Sequence, residues 1–305
     1  MKIVFTSDVH AHLHRVGSCD GRGQDRLADG LSALDQTLAF ARTHDATWVF
    51  GGDMKIPKSI WSVEALNGVL ATLKRYGDVR KIAIPGNHDT VSGSFGSGLE
   101  PLREHVQVFD RAFVGRLLGS QAPMTFAAWP WGARHRDALP VFLDEAVAAR
   151  KRGETVVLLA HLMFEGMLPQ ADRAHPGKSL PPQAFRPGDA FDVALVGDVH
   201  HGQGWDGTRW TPYDAVVRGG SLRVRKSLQR AKVAPGCDLV MGAAIPLRAP
   251  GPWRGEVFYP GSPYAQSFGE KNDYSKGCLL VDLATGEVQL LRVNAPRFVE
   301  IEVTQ

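Results

Sequence analysis

Short apolar runs of four to six residues alternate along this chain with stretches in which apolar residues return every three or four positions. That alternation predicts strands and helices in turn, the pattern of a sheet covered on its faces. Lys2 to Thr6 predicts the first strand. Leu27, Leu31, Leu34 and Leu38 then recur at helical spacing between Asp25 and Arg42. Thr47 to Phe50 predicts a second strand, and Trp61, Ala65, Val69 and Leu73 mark a second amphipathic helix. Lys81 to Ile84 predicts a third strand, stopped by Pro85. Further on, Val106 to Phe109 and Thr125 to Trp131 read as extended and Asp137 to Arg152 as helix, while Thr155 to Ala160 and Phe191 to Val196 read as buried strands. Val257 to Tyr259 is another strand. Cys278 to Leu283 and Glu287 to Val293 flank Ala284-Thr285-Gly286, a hairpin turn. Residues 92–104 and 165–190 are rich in glycine or proline and predict loops. At 305 residues the chain has room for one large α/β domain, or a domain plus a small appendage, with ample core.

The polar residues that matter sit at the ends of these runs. Asp8-Val9-His10, Gly52-Asp53, Gly86-Asn87-His88-Asp89, His161 and Gly197-Asp198-Val199-His200 each follow an apolar segment. Together they offer carboxylates, an amide and imidazoles, the ligand inventory of a two-metal hydrolytic centre. A single strand-end aspartate is by itself a cap or turn residue; five such motifs in series exceed what coincidence supplies. Cleaving a phosphoester requires a nucleophile made from water and neutralised phosphoryl charge, which two divalent ions about 3.5–4 Å apart provide. Asp53 is the candidate carboxylate shared between them. Asp8 and His10, two apart on extended backbone, point to one face. Asn87 offers a neutral amide oxygen, and His161 and the Asp198/His200 pair return from distant strands. Glycines 52, 86 and 197 leave room for the turns that aim each ligand.

Composition narrows the setting. Hydrophobic residues at 44% and charged residues at 22% are ordinary for a soluble globular protein. No apolar run is long enough to span a bilayer, and the first residues enter a strand directly without a leader pattern. Cys19, Cys237 and Cys278 are few and widely spaced, which fits a reducing cytoplasm better than a disulfide framework. The net charge of +3 names no partner, but its distribution is uneven. Between 204 and 255 there are nine basic and three acidic residues, and 218–232 holds Arg218, Arg223, Arg225, Lys226, Arg230 and Lys232 with no acid. Such a run suits contacts to DNA phosphates, although a solvated loop can carry the same charge. Trp129, Trp131, Trp205 and Trp210 are read as core rather than as base-stacking platforms. A Walker lysine motif is absent, so ATP hydrolysis is not expected of this chain.

The motif series resembles the calcineurin-like metallophosphoesterases. Tyr259-Pro260-Gly261-Ser262-Pro263-Tyr264, then Ser267-Phe268-Gly269-Glu270, then Lys276-Gly277 before the closing hairpin, is similar to the SbcD branch, nucleases of bacterial and phage double-strand-break processing. The likeness to that branch runs over roughly 1–90, 155–203 and 256–303. It implies a four-layer sandwich of two packed mixed β-sheets flanked by helices, as a single domain over 1–305. That domain would carry a basic insertion at about 204–255 and a closing hairpin at about 277–293. By resemblance Asp8, His10, Asp53 and His200 hold one metal, and Asp53, Asn87, His161 and Asp198 hold the other. His88 is then the acid that protonates the leaving oxygen, with Asp89 orienting its imidazole.

One position departs from the family, which usually has Gly-His-X-His where this chain has Gly197-Asp198-Val199-His200. A carboxylate in place of an imidazole makes the site less positive and favours Mn²⁺, or Mg²⁺, over zinc. His201, on extended backbone, faces away from 198 and 200 and does not replace the missing imidazole. His12 and His14 continue the alternation from His10 and are placed to touch substrate, although loops near a metal often carry spare histidines; His105, His135 and His175 stand outside any motif and are read as surface residues. Position 56, three after Asp53, is isoleucine where relatives keep a polar residue. Three functions follow as expectations. The first is a DNA nuclease of SbcD type working with an SbcC-like ATPase, as a homodimer. The second is a small-substrate phosphodiesterase or phosphatase. The third is a non-catalytic scaffold.

Overall fold

The computed structural model of the chain describes residues 1–13, 15–16, 24–56, 60–91, 97–116, 124–131, 137–167, 179–217, 244–266, 270, 273 and 275–295. The chain begins with β1 (Lys2–Thr6), the short pair β2 (Arg15–Val16) and β3 (Gln24–Asp25), α1 (Arg26–Thr43), β4 (Ala46–Phe50) and α2 (Val63–Arg75). It continues through β5 (Lys81–Ala83), β6 (Gln107–Val108), β7 (Phe113–Arg116), β8 (Met124–Trp129), α3 (Leu139–Lys151) and β9 (Thr155–His161). The last part holds β10 (Val193–Gly197), β11 (Gln203–Trp205), β12 (Trp210–Pro212), β13 (Ala244–Arg248), β14 (Glu256–Tyr259), β15 (Gly277–Asp282) and β16 (Glu287–Arg292).

Two seven-stranded mixed sheets result. The first runs β13-β16-β15-β1-β4-β5-β6 and the second β12-β11-β14-β10-β9-β8-β7. β1, β4, β5 and β6 are parallel, as are β8, β9, β10 and β14. The remaining strands, β13, β16 and β15 of the first sheet and β12, β11 and β7 of the second, pair antiparallel.

Why these runs are apolar on both faces follows from what each face meets. Ile3, Phe5, Val49 and Ile82 of the first sheet pack between the sheets against Phe126, Val157, Leu159, Val193 and Leu195 of the second. Their neighbours in sequence face helices. Val4, Trp48 and Phe50 meet Leu34, Leu38, Val69 and Leu73 of α1 and α2. Val156, Leu158 and Ala160 meet Phe142, Ala146 and Ala149 of α3. A parallel strand buried on both sides reads as a continuous apolar run. The expected four-layer sandwich is the observed fold.

The differences from the expected elements are local. Trp61 precedes α2 instead of lining it: Ser62 caps the helix by accepting from the Ala65 N–H, and the Trp61 indole donates to the Gly98 carbonyl at 2.6 Å. β7, β11, β12 and β13 had no place in the expected pattern. The last three lie within or beside the 204–255 segment, so its two ends extend the second and the first sheet respectively. The hairpin at Ala284-Thr285-Gly286 joins β15 to β16, with Gly286 at φ 77°.

Candidate metal centre

The site forms where the parallel strands end. β1 leads into Asp8 and His10, β4 into Asp53, β5 into Asn87 and His88, β9 ends on His161, and β10 leads into Asp198 and His200. Ligand sites in α/β folds lie outside the carboxyl ends of strands for this reason. The turns are tight. Asp8, His10, Asp53 and Asp198 all adopt positive φ (57°, 49°, 61° and 93°), a conformation that costs of order 1–3 kcal/mol per non-glycine residue and clusters at functional sites. Gly52, at φ 102°, has the Gly86 nitrogen 2.7 Å from where a Cβ would stand.

All seven expected ligands come together. His10 Nε2 is 3.1 Å from His200 Nε2, 3.8 Å from Asp8 Oδ1 and 3.8 Å from Asp53 Oδ2. His161 Nε2 is 3.0 Å from Asn87 Oδ1 and 3.6 Å from both Asp53 Oδ2 and Asp198 Oδ1. Asp53 Oδ2 therefore lies between the two groups. Asp8–His10–His200, His10–Asp53–His88 and Asp8–Asp53–His161 each bring three donor atoms within 4.8 Å of one another. The separations within the first and third of these groups suit atoms bound to a shared cation at about 2.0–2.2 Å, while the second places the His88 ring against two of those ligands.

The chemistry of the donors points the same way. The His161 Nδ1–H donates to the Gly51 carbonyl at 2.6 Å, so Nε2 is the nitrogen turned to the oxygens around it. The Ser7 hydroxyl and the Asp198 N–H hold Asp8 Oδ2 at 2.5 and 3.2 Å, leaving Oδ1 buried without a hydrogen-bond partner. Turning the Asn87 amide over would direct N–H groups to His161 Nε2, Asp53 Oδ2 and Asp198 Oδ1 at 3.0–3.2 Å. Either an amide N–H or a cation thus closes that half of the site, whereas Asp8 Oδ1 has only the cation. Burial, reinforced by Asp89 and Asp8 and opposed by His161, pushes the Asp53 carboxyl well above the usual range. Burial likewise raises Asp8. Burial opposes a charge on His161, yet Asp53, Asp198 and Asp8 bring its pKa to about 10. Burial and the surrounding imidazoles hold His10 well below its ordinary value, hence neutral and able to ligate. The residues present fit divalent cations.

Around this cluster the second tier differs from expectation. Asp89 does not orient the His88 imidazole. Its carboxylate accepts from the backbone N–H groups of Asp53 (2.7 Å), Met54 (3.1 Å) and Gly86 (2.9 Å), bracing two ligand-bearing loops against each other. The His88 backbone N–H donates to Asp53 Oδ1 at 2.7 Å, and its carbonyl accepts from Lys55 Nζ at 2.8 Å. Lys55 is a buried lysine the motif reading passed over. His12 contacts the His10 carbonyl through Nδ1 at 2.6 Å, and His201 pairs with Asp273 at 3.2 Å, turned from the cluster. Trp129 and Trp205 are core residues, while Trp131 sets its ring edge-to-face on His161, 6.2 Å between centroids.

On the far side of His200, Nδ1 lies 3.1 Å from Glu270 Oε1, and Lys276 joins Glu270, Asp273, Ser262 and the His200 carbonyl. Burial raises the Glu270 carboxyl, but Lys276 and His200 bring it down to about 2. The polar residues of the Tyr259–Gly277 segment were the sequence signal for this group. His14, His135, His175, Ser267 to Gly269 and the six candidate DNA contacts, Arg218, Arg223, Arg225, Lys226, Arg230 and Lys232, lie outside the described residues.

Residues 1–202 match the family profile of the calcineurin-like phosphoesterases. The chain belongs to that family. Membership places this phosphoesterase among the metal-dependent hydrolases of phosphoester bonds, and the match covers every expected ligand while stopping short of Glu270 and Lys276. No curated protein matches the chain. Solved structures of similar fold include a putative 5′-nucleotidase from Staphylococcus aureus, with 14% identity and TM-score 0.45, covering 99% of this chain and 56% of that one. Another is the 5′-nucleotidase precursor from Thermus thermophilus, with 16% identity and TM-score 0.43, covering 97% and 56%. A third is the calcineurin-like phosphoesterase YfkN from Bacillus subtilis, with 11% identity and TM-score 0.42, covering 95% and 87%. The phosphoesterase spans a little over half the length of the two nucleotidases. Among the described residues no helix is long and apolar enough to cross a membrane.

Proposed function

We propose that this phosphoesterase hydrolyses phosphodiester bonds with two divalent ions, Mn²⁺ best among them, and that DNA is its substrate, as in the SbcD branch. The observation that carries the reading is the placement of Asp53 Oδ2 between His10 and His161, with the other donors closing around each. Asp8, His10, Asp53 and His200 would hold one ion, and Asp53, Asn87, His161 and Asp198 the other. Ions so held neutralise phosphoryl charge and lower the pKa of water. The chain itself supplies the acid. His88 is half-buried beside Asn87, with its ring edge against His10 at 5.0 Å, and its backbone is fixed at both ends by Asp53 and Lys55. As the water oxygen bonds to phosphorus and the phosphorus–oxygen bond to the leaving group breaks, a proton passes from His88 to that leaving oxygen. Asp198, an oxygen donor where relatives use nitrogen, supports Mn²⁺ over zinc.

DNA is favoured by the origin of the basic run. Tyr213 donates its N–H to the Gly202 carbonyl at 2.9 Å and Val217 is buried, so the chain entering 218–232 is tied beside the His200 loop. The cationic run that follows Val217 in sequence suits a phosphate backbone. A second reading, a small phosphoester substrate, is favoured by depth: Asp8, His10, Asp53 and His161 are at most 2% exposed, which admits a slim phosphoryl end most readily. An SbcC-like ATPase partner and a homodimer belong to the first reading only. Linear duplex, single-stranded DNA and a chromogenic bis-ester, assayed side by side with Mn²⁺, separate the two. Mn²⁺-dependent DNA cleavage supports the first; rapid bis-ester turnover without DNA cleavage replaces it with the second.

A further inference from the structure

We propose that Glu270 is a positioning residue for His200, held by Lys276, so that the segment beyond the family match completes the metal centre. The proposal rests on the two-metal reading above. An imidazole that donates through one nitrogen is confined to one tautomer, and its other nitrogen then points a lone pair in a fixed direction. His200 Nδ1 faces Glu270 Oε1 at 3.1 Å, which leaves Nε2 directed at His10 Nε2 and Asp8 Oδ1.

Glu270 is itself anchored. Its Oε2 accepts from Lys276 Nζ at 2.5 Å and from the Ser262 hydroxyl at 3.0 Å. The same ammonium donates to the His200 carbonyl and to Ser262 Oγ, both at 2.8 Å, and stands 3.1 Å from Asp273 Oδ2. One lysine therefore grips the backbone of the ligand residue and the carboxylate that orients its ring. Ser262, Glu270, Asp273 and Lys276 are all buried. Asp273 Oδ1 is occupied by the Ser275 N–H and hydroxyl, at 2.9 and 2.6 Å. Asp273 Oδ2 has no hydrogen bond but pairs by charge with Lys276 and with His201 at 3.2 Å, so the group balances its own charge and faces a metal-side imidazole, the arrangement of a partner that fixes a ligand and not of a second binding site.

The bland account is a buried ion pair that merely pins the Tyr259–Gly277 segment to the sheet. It predicts an effect on stability without preference between the two metal positions. The test is titration of the full chain with Mn²⁺ alone, followed by electron paramagnetic resonance and calorimetry, with folding checked by circular dichroism. Wild type takes two ions. Glu270→Ala weakens one site about 10–100-fold while leaving the other within about twofold, and Glu270→Gln, which keeps an acceptor for Nδ1–H, recovers most of the loss. A folded Glu270→Ala protein with both affinities unchanged, or with both equally reduced, overturns the proposal and leaves the two-metal reading standing. Failure of wild type to bind a second ion overturns that reading and this proposal with it. Should Glu270→Ala not fold, ¹⁵N spectra of the wild-type histidines decide: a protonated His200 Nδ1 supports the proposal, and an unprotonated one overturns it.

Discussion

His200 stands between two buried groups of charged side chains that are put together in opposite ways. On its Nδ1 side, Glu270 and Asp273 share Lys276, hydroxyls and backbone groups bond to Glu270 Oε2 and Asp273 Oδ1, and Asp273 Oδ2 is held by the charges of Lys276 and His201 alone. On its Nε2 side, the ion pairs of Asp8, Asp53 and Asp198 among the described residues are with histidines alone, and Asp8 Oδ1 has no hydrogen-bond partner. The four positive-φ ligand residues belong to this second group, while none of Ser262, Glu270, Asp273 and Lys276 is among the positive-φ residues. One group carries its own cation and relaxed backbone. The other holds carboxylates and imidazoles together in strained turns, and in the reading proposed above divalent ions would relieve it. Stability and function are thus allotted to different side chains a few ångströms apart.

Substitutions should pull the two groups apart. Asp53→Asn removes the shared carboxylate and is expected to cut turnover on the order of 10³-fold or more. Because burial and neighbouring acids already disfavour its charge, the Tm of the metal-free protein should not fall. A lowered metal-free Tm would mean the cluster is a structural network like its neighbour. His88→Ala should lower kcat by about 10²–10⁴-fold with both ions still bound, since it deletes the acid and no ligand. Residual activity equal to wild type would favour the scaffold expectation. Lys276→Met should do the reverse of Asp53→Asn. It strands two buried carboxylates and is expected to cost about 3–5 kcal/mol in urea denaturation of the metal-free protein. Asp198→His is the mildest. It returns an imidazole to the second group and should shift the ratio of Mn²⁺- to Zn²⁺-supported activity roughly tenfold toward zinc. An unchanged ratio would detach metal preference from this position.

The two groups also differ in how far the sequence discloses them. The cluster was legible because each ligand follows directly on a parallel strand whose apolar run announces it, and all such strands end on one side of the sandwich. The Glu270–Lys276 group was visible only as a motif, since its chemistry depends on contacts across some seventy positions, from His200 to Glu270. Asp89 misled for a related reason. Adjacency to His88 suggested a side-chain pair, but the turn closed by the Asp89 N–H on the Gly86 carbonyl swings the carboxylate back onto the Gly86, Asp53 and Met54 amides. The edge strands β7, β12 and β13 were missed because they are brief and lack a two-faced apolar run. β7 has no buried residue, and β12 ends in Pro212, tolerable only at a sheet edge.

The central claim is that Asp53 is shared by two ions gathered from five strand ends. Crystals grown with Mn²⁺ and measured at its absorption edge test it most directly. The expected result is two anomalous peaks about 3.5–4 Å apart, one among Asp8, His10, Asp53 and His200, the other among Asp53, Asn87, His161 and Asp198. A single peak that leaves Asp53 bound to one ion, or no peak within the cluster, would contradict it.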